Sequence, residues 1–157
     1  MSIAGRARRA VAERLRAIRA VDGYHTDMGL AVTAGRTSLG PADLAVTPAV
    51  VVYTPTEEFL DASGDQQRIA LNITVEAFAV YDQDADAVAD DLLADLKTAL
   101  LRAEQPGLAD AAGPIGQRLE YVSAGIDLPD PGERLVMVTV TLRCRYFERY
   151  GQPQLTS

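Results

Sequence analysis

The sequence predicts an α/β (α+β) domain of two layers. A mixed, mainly antiparallel sheet of about four or five strands carries two amphipathic helices packed on one face. Three observations lead there. The segments "RIALNITVEAFAVY" (68–81) and "LVMVTVTLRCRYF" (135–147) alternate apolar with mostly polar residues over 12 or more positions, the period of a strand with one buried face. Two further segments, 3–21 and 84–102, repeat apolar residues every three or four positions, the period of a helix with one buried stripe. A sheet face and two helix stripes that must all leave water are best satisfied by packing on one another.

In chain order, "IAGRARRAVAERLRAIRAV" (3–21) places Ile3, Ala7, Ala10, Val11, Leu15, Ile18 and Val21 on one stripe. Arg8, Arg9, Arg16 and Arg19 project from the other side, while Arg14 falls inside the stripe and must snorkel or find a partner. Asp22-Gly23 ends the helix, with Gly23 suited to a left-handed cap. A short strand is expected around Leu30–Thr33, then a loop over "AGRTSLGPAD" (34–43). "TPAVVVYTP" (47–55) is β-branched and fenced by Pro48 and Pro55, which predicts a buried strand, and "TEEFLDASGDQQ" (56–67) reads as a polar loop. Between the two long strands come the helix 84–102, a Gly/Pro-rich loop (105–116), a weaker strand (117–126) and the turn "LPDPGE" (128–133). Residues 1–150 read as one domain and 151–157 as a mobile tail.

Composition narrows the function classes. With 157 residues, 48% of them hydrophobic and 24% charged, the chain has the make-up of a globular domain with a single core. No apolar run approaches the roughly 20 residues a membrane helix needs, and the N-terminus lacks the hydrophobic stretch of a secretory signal. The basic N-terminal helix has the look of an organelle transit peptide, but it holds a single serine, Ser2, and runs straight into foldable sequence. Cys144 is alone, so no intramolecular disulfide can form. A net charge of −7 disfavours nucleic-acid binding. The charge is uneven, since residues 3–20 hold six arginines and one glutamate against an acidic remainder.

The motifs that suggest chemistry fail on their own terms. In "YDQDADAVADDLLADL" (81–96), Asp82, Asp84 and Asp86 sit at alternate positions as in a calcium loop. An EF-hand loop from Asp82 needs glycine sixth and glutamate twelfth, where this chain has Ala87 and Leu93. A helix start fits instead: Val88, Leu92, Leu96 and Leu100, with Ala85, Ala89 and Leu93, form one apolar face. Asp84, Asp90, Asp91 and Asp95 lie away from that face, and Asp82 or Asp84 caps the free amides. His25 and Cys144 are the single residues of their types, too few for a usual zinc site, and no nucleophile elbow accompanies His25. Cys144 shares the inward phase of its strand, as a buried structural thiol does. "GRTSLG" (35–40) has the outer glycines of a phosphate loop but continues with Pro41 and Ala42. No enzyme constellation remains.

The second phase of the long strands carries the functional expectation. Asn72, Thr74, Glu76, Thr139, Thr141, Arg143 and Arg145 are polar, yet Phe78, Met137 and Phe147 interrupt them. A mixed face with an apolar centre and charged edges suits a protein partner better than water. Strands of this length also offer unpaired edges for strand addition.

The order of elements, with the "PAVVVY" strand beside its proline, "NITVEAF", the acidic helix and the closing "VMVTVTLRCRY", resembles the tail terminator (tail completion) proteins of long-tailed bacteriophages over roughly residues 3–147. That resemblance implies a structural virion protein with no active site and no cofactor. Family members form a six-membered ring on the last ring of the tail tube, stop its polymerisation and present a surface to the head connector, with genomic DNA only passing through the lumen. It implies the neck end of the virion tail as location, host cytoplasm during assembly, and homo-oligomer, tail tube and connector as partners, with no membrane. Ring closure needs two different patches per subunit. The expected patches are the arginine helix (Arg8, Arg9, Arg16, Arg19) and an acidic surface (Asp84, Asp90, Asp91, Asp95), with Glu76, Arg143 and Arg145 as further contacts. The alternatives are another phage neck or baseplate structural protein, or a small ferredoxin-like module that dimerises through its sheet and holds a small molecule.

Overall fold

The computed structural model describes residues 1–35 and 48–153. Among these residues two α-helices and seven strands follow one another as α1 (Ile3–Arg16), β1 (Val32–Ala34), β2 (Ala49–Ser63), β3 (Gln66–Val80), α2 (Ala85–Leu100), β4 (Gly107–Asp110), β5 (Gly113–Arg118), β6 (Glu120–Asp127) and β7 (Leu135–Arg149). A five-stranded sheet runs β1-β2-β3-β7-β6, and β4 and β5 form a separate hairpin. β1 is parallel to β2 and every other pairing is antiparallel, so the sheet is mixed as expected. No described helix is long and apolar enough to cross a membrane.

Both helices lie on one face of the sheet, α1 over β1 and β2 and α2 over β7 and β3. The core between the layers joins Ile3, Val11 and Leu15 of α1, Leu92, Leu96 and Leu100 of α2, and the inward phases of β3 and β7. β3 and β7 pair in unbroken register from Gln66 opposite Arg149 to Val80 opposite Leu135, which fixes which side chains share each face. Cys144 is buried in this core, and burial pushes its thiol up to about 11.

Two buried polar side chains lock the layers. Arg14, inside the apolar stripe, donates to the carbonyl oxygens of Leu100 at 2.7 Å, Gln105 at 2.7 Å and Gly107 at 2.6 Å. It therefore supplies donors to carbonyls that the C-terminus of α2 and the following chain leave open. Asp95, expected on the solvent side of α2, is instead buried, 1% exposed. Its carboxylate accepts from the backbone amides of His25 at 2.9 Å and Thr26 at 2.8 Å, and from the Thr26 hydroxyl at 2.7 Å. The connection after α1 has no ladder of its own, and this carboxylate satisfies its free donors.

Several elements differ from the sequence reading. α1 stops at Arg16 rather than near Val21, and Arg19 is extended at φ −138°. Two 3-10 turns, Ala20–Asp22 and Met28–Leu30, follow, and the amide of Gly29 donates to Ile18 O at 3.0 Å. A Cβ on Gly29 would stand 2.5 Å from that same oxygen, so only glycine lets the chain come this close. Gly23 takes the left-handed cap at φ 95°. The short strand expected around Leu30–Thr33 is β1 at Val32–Ala34. The 34–43 loop and the "GRTSLG" segment fall largely in 36–47, outside the described residues.

The larger correction concerns 56–67. This stretch is not a loop: β2 runs on to Ser63 and turns through Gly64 into β3. Pro55 sits within a register shift between Tyr53 and Thr56, where a missing N–H costs no ladder bond. The Gly/Pro-rich segment 105–116 likewise contains the β4–β5 hairpin. Its docking on β7 requires Gly116, where a Cβ would lie 2.5 Å from Cys144 Sγ and 2.9 Å from Arg145 O. At the C-terminus, Gln152 bridges to Arg149 and Pro153 O accepts from Ile3 N at 2.8 Å, while 154–157 lie outside the described residues.

Candidate assembly interface

The sheet face opposite the helices is a grid whose rows are set by register. One row is Ala49, Phe78, Met137 and Asp127, and the next is Val51, Glu76, Thr139 and Gly125. Then come Tyr53, Thr74, Thr141 and Ser123, followed by Thr56, Asn72, Arg143 and Glu120. Beyond these lie Glu58, Ala70 and Arg145, then Asp61, Arg68 and Phe147. No described helix covers this face, yet Val51, Ala70 and Phe78 on it are buried.

The charged groups of the grid are tied across strands. Tyr53 donates to Glu76 at 2.7 Å, and burial followed by that contact raises the phenol's pKa. Arg143 reaches Glu58 at 4.0 Å, Arg145 reaches Glu120 at 3.6 Å, and Arg68 pairs with Asp61. The Nε atoms of Arg68, Arg143 and Arg145 are nevertheless buried without a hydrogen-bond acceptor. Each of these guanidiniums therefore keeps one unspent donor. Glu76, Arg143 and Arg145, expected as contacts, therefore do share one surface.

The expected helix patches are placed differently from one another. On α1, Arg9 is exposed and makes no ion pair among the described residues. Arg8 donates to Thr54 Oγ1 at 3.3 Å, Arg16 pairs with Glu13, and Arg19 lies 3.8 Å from Asp27. On α2, Asp84 caps the helix by accepting from Ala87 N at 3.0 Å. Asp90 and Asp91 are exposed, with His25 Nδ1 3.7 Å from Asp91. Asp95 is removed from this patch by its burial. Among the described residues no cluster of three His, Cys, Asp or Glu side chains could hold a metal ion.

Sequence reasoning expected unpaired strand edges but not which strands carry them. β6 is an outer strand, exposed over 121–127, and carries Tyr121, Val122 and Ile126, with Leu128 just beyond. From α2, Lys97 Nζ lies 4.9 Å from the Tyr121 ring centre. On the opposite side β1 covers only Val50–Val52 of β2, and residues 55–63 are exposed on both faces, with Phe59 at 62%. Shallow grooves of about 280 and 250 Å³ flank β6, the first bounded by Arg102, Pro106 and Tyr121, the second by Phe78, Leu128 and Met137. The signal available in sequence was large apolar residues inside polar runs, Phe59-Leu60 among acids and Tyr121-Val122 after Glu120.

Among the described residues, two helices pack on one side of a mixed five-stranded sheet and none on the other, which defines an α+β domain of open-sheet type. No family model matches the sequence, and no characterised protein matches it. Among solved structures, the fold is similar to that of a chain described as "Virion of native gene transfer agent (GTA) particle". The TM-score is 0.54 and the identity 19%, over 88% of this chain and 92% of that one. At that identity the likeness is one of fold.

Proposed function

We propose that this protein is a structural component of a phage-like virion that assembles as a ring on the end of the tail tube. There it stops tube polymerisation and offers the surface for head-to-tail joining. The observation that carries this reading is the second face of the sheet, which no described helix covers. Val51, Ala70 and Phe78 make its apolar floor, and half-buried arginines with unspent donors lie across it. Such a face is built for protein contact. The fold shared with a chain of a gene transfer agent virion supports the same reading. The role is mechanical: subunits close a ring, the ring caps the tube protein below and meets the head connector above, and DNA passes through.

The test is negative-stain microscopy of the purified protein alone and with a tail tube protein. Rings, or tubes capped at one end and fixed in length, support the proposal. Tubes that elongate unchanged in an excess of the protein overturn it.

A further inference from the structure

We infer that successive copies join edge to edge, β6 of one copy adding in antiparallel fashion to the outer half of β2 of the next, so that one sheet runs unbroken around the ring. The inference rests on the ring reading and names its subunit contact.

Four observations converge on this pairing. The first is bareness. β6 and the outer half of β2 are the long uncovered strand edges of the main sheet among the described residues, and they lie on opposite sides of it. Within Glu120–Asp127 there is no lysine or proline to deter pairing. A contact between two different patches on opposite sides is what a closed ring requires.

The second is polarity. β2 and β7 both run antiparallel to β3, and β6 runs antiparallel to β7, so β6 is antiparallel to β2. A neighbour that keeps its orientation around a ring axis presents β2 to β6 in the antiparallel sense, the more stable pairing.

Face parity is the third. Tyr121, Ala124 and Ile126 pair with Leu142, Val140 and Val138, so they belong to the helix side of the sheet. Phe59 pairs with Ile69 and belongs to that side too. Setting Ala124 opposite the neighbour's Phe59 keeps every side chain on its own face. The irregularity between Tyr121 and Ser123 then falls beside the one between Phe59 and Asp61. Phe59 enters between Tyr121 and Ile126, three exposed apolar side chains that bury one another, and Arg118 arrives near Asp65.

The fourth is the size of the step. Within one copy Ala124 is level with Val140, Val75 and Val52. Moving its partner from Val52 to Phe59 offsets adjacent copies by about 20 Å along the strands, while four strands span about 19 Å across. The implied strand tilt is about 45°, at the upper end of what closed sheets adopt.

The experiment is paired cysteine substitution, Phe59→Cys with Ala124→Cys, both at exposed positions and far from the buried Cys144 in chemistry. Protein assembled with tail tubes is mildly oxidised and run without reductant, beside each single variant. The expected result is a ladder of covalent multimers from the double variant only, with rings by microscopy. Rings without a ladder overturn the edge pairing and leave the proposed function standing. A dimer formed by Ala124→Cys alone reports a two-fold β6–β6 contact and overturns both. Absence of rings and ladder together overturns both as well.

Discussion

The Arg14 guanidinium, on α1, donates at 2.7 Å to the carbonyl oxygen of Leu100, the last residue of α2, and its second arm bridges to Gln105 and Gly107. One cation thus ends one helix, holds the turn after it and joins the helical layer. Burial, and then the nearby Arg102, lowers its pKa, so its place is maintained by the three oxygens. Replacing Arg14 by leucine leaves those carbonyls buried without donors and is expected to cost about 3 kcal/mol. A chain of this size loses about 2–4 °C of Tm for each kcal/mol. Lysine rescues little, because a single ammonium cannot reach three oxygens arranged for a fork. Urea unfolding of both variants checks this; a lysine variant as stable as the parent contradicts it.

Asp95, on α2, makes the corresponding contact with the connection that follows α1. Asp95→Ala removes the acceptor for two amides and one hydroxyl, with an expected loss of about 2–3 kcal/mol. Asp91→Ala, one helical turn away and exposed, is expected to stay within about 0.5 kcal/mol. Equal losses at the two positions would show that the buried carboxylate has no special place.

The Arg6–Asp110 pair fastens the β4–β5 hairpin to α1 through two hydrogen bonds, 2.8 and 2.6 Å. The Arg6 hydrogen bond, aided by the amide of Ala112, holds the Asp110 carboxyl below its ordinary 3.8. A depressed carboxylate contributes stability above its unfolded pKa and loses it as pH falls through the folded value. Hairpin docking is therefore expected to persist through the ordinary carboxylate range and to release only below 3.8. Chemical shifts of residues 110–113 during an acid titration report it, and release already at that ordinary value would contradict the pairing.

Cys144 has the opposite sign. Its thiol is raised from 9.0 to about 11, chiefly by burial and then by Glu120. The neutral form is the one that fits, so this contribution is intact below 9 and disappears as pH rises through about 11. A thiol reagent at neutral pH is expected to modify the unfolded chain promptly and the native chain only through unfolding. Prompt modification of the native protein would place this sulfur at the surface.

The legible parts of the fold were those where one face is buried and the other is not. β3, β7 and both helices announce themselves because burial on one side imposes a period. The outer half of β2 is wet on both sides, so its sequence "TEEFLDAS" has no period to read, and only ladder bonds to β3 make it a strand. The β4–β5 hairpin was hidden by its glycines, which look like loop residues, although Gly116 is demanded by a backbone lying against Cys144 and Gly113 by a φ of 116°. Asp95 was misplaced because helical periodicity ranks positions by hydrophobicity and cannot see two amides waiting in a distant turn. The candidate interface was half legible. Glu76, Arg143 and Arg145 follow from strand phase, whereas the bare edges depend on strand order, which no local pattern encodes.

The open face itself yields the last expectation. Arg143 and Arg145 sit in adjacent rows of β7, each spanning toward an acid on another strand, Glu58 and Glu120. Reversing both to glutamate sets like charges opposite one another across the sheet and also removes the buried guanidinium donors from the face. Exposed pairs of this kind are worth at most about 1 kcal/mol each to the isolated fold. Tm is therefore expected to fall by only a few degrees, and the far-UV spectrum to stay unchanged. Assembly is expected to respond far more, because a partner face matched to cations then meets anions as it loses water. Sedimentation of the double variant with tail tubes separates the two effects. Capping that survives charge reversal would show that this face is not the contact surface, whatever the edges of the sheet do.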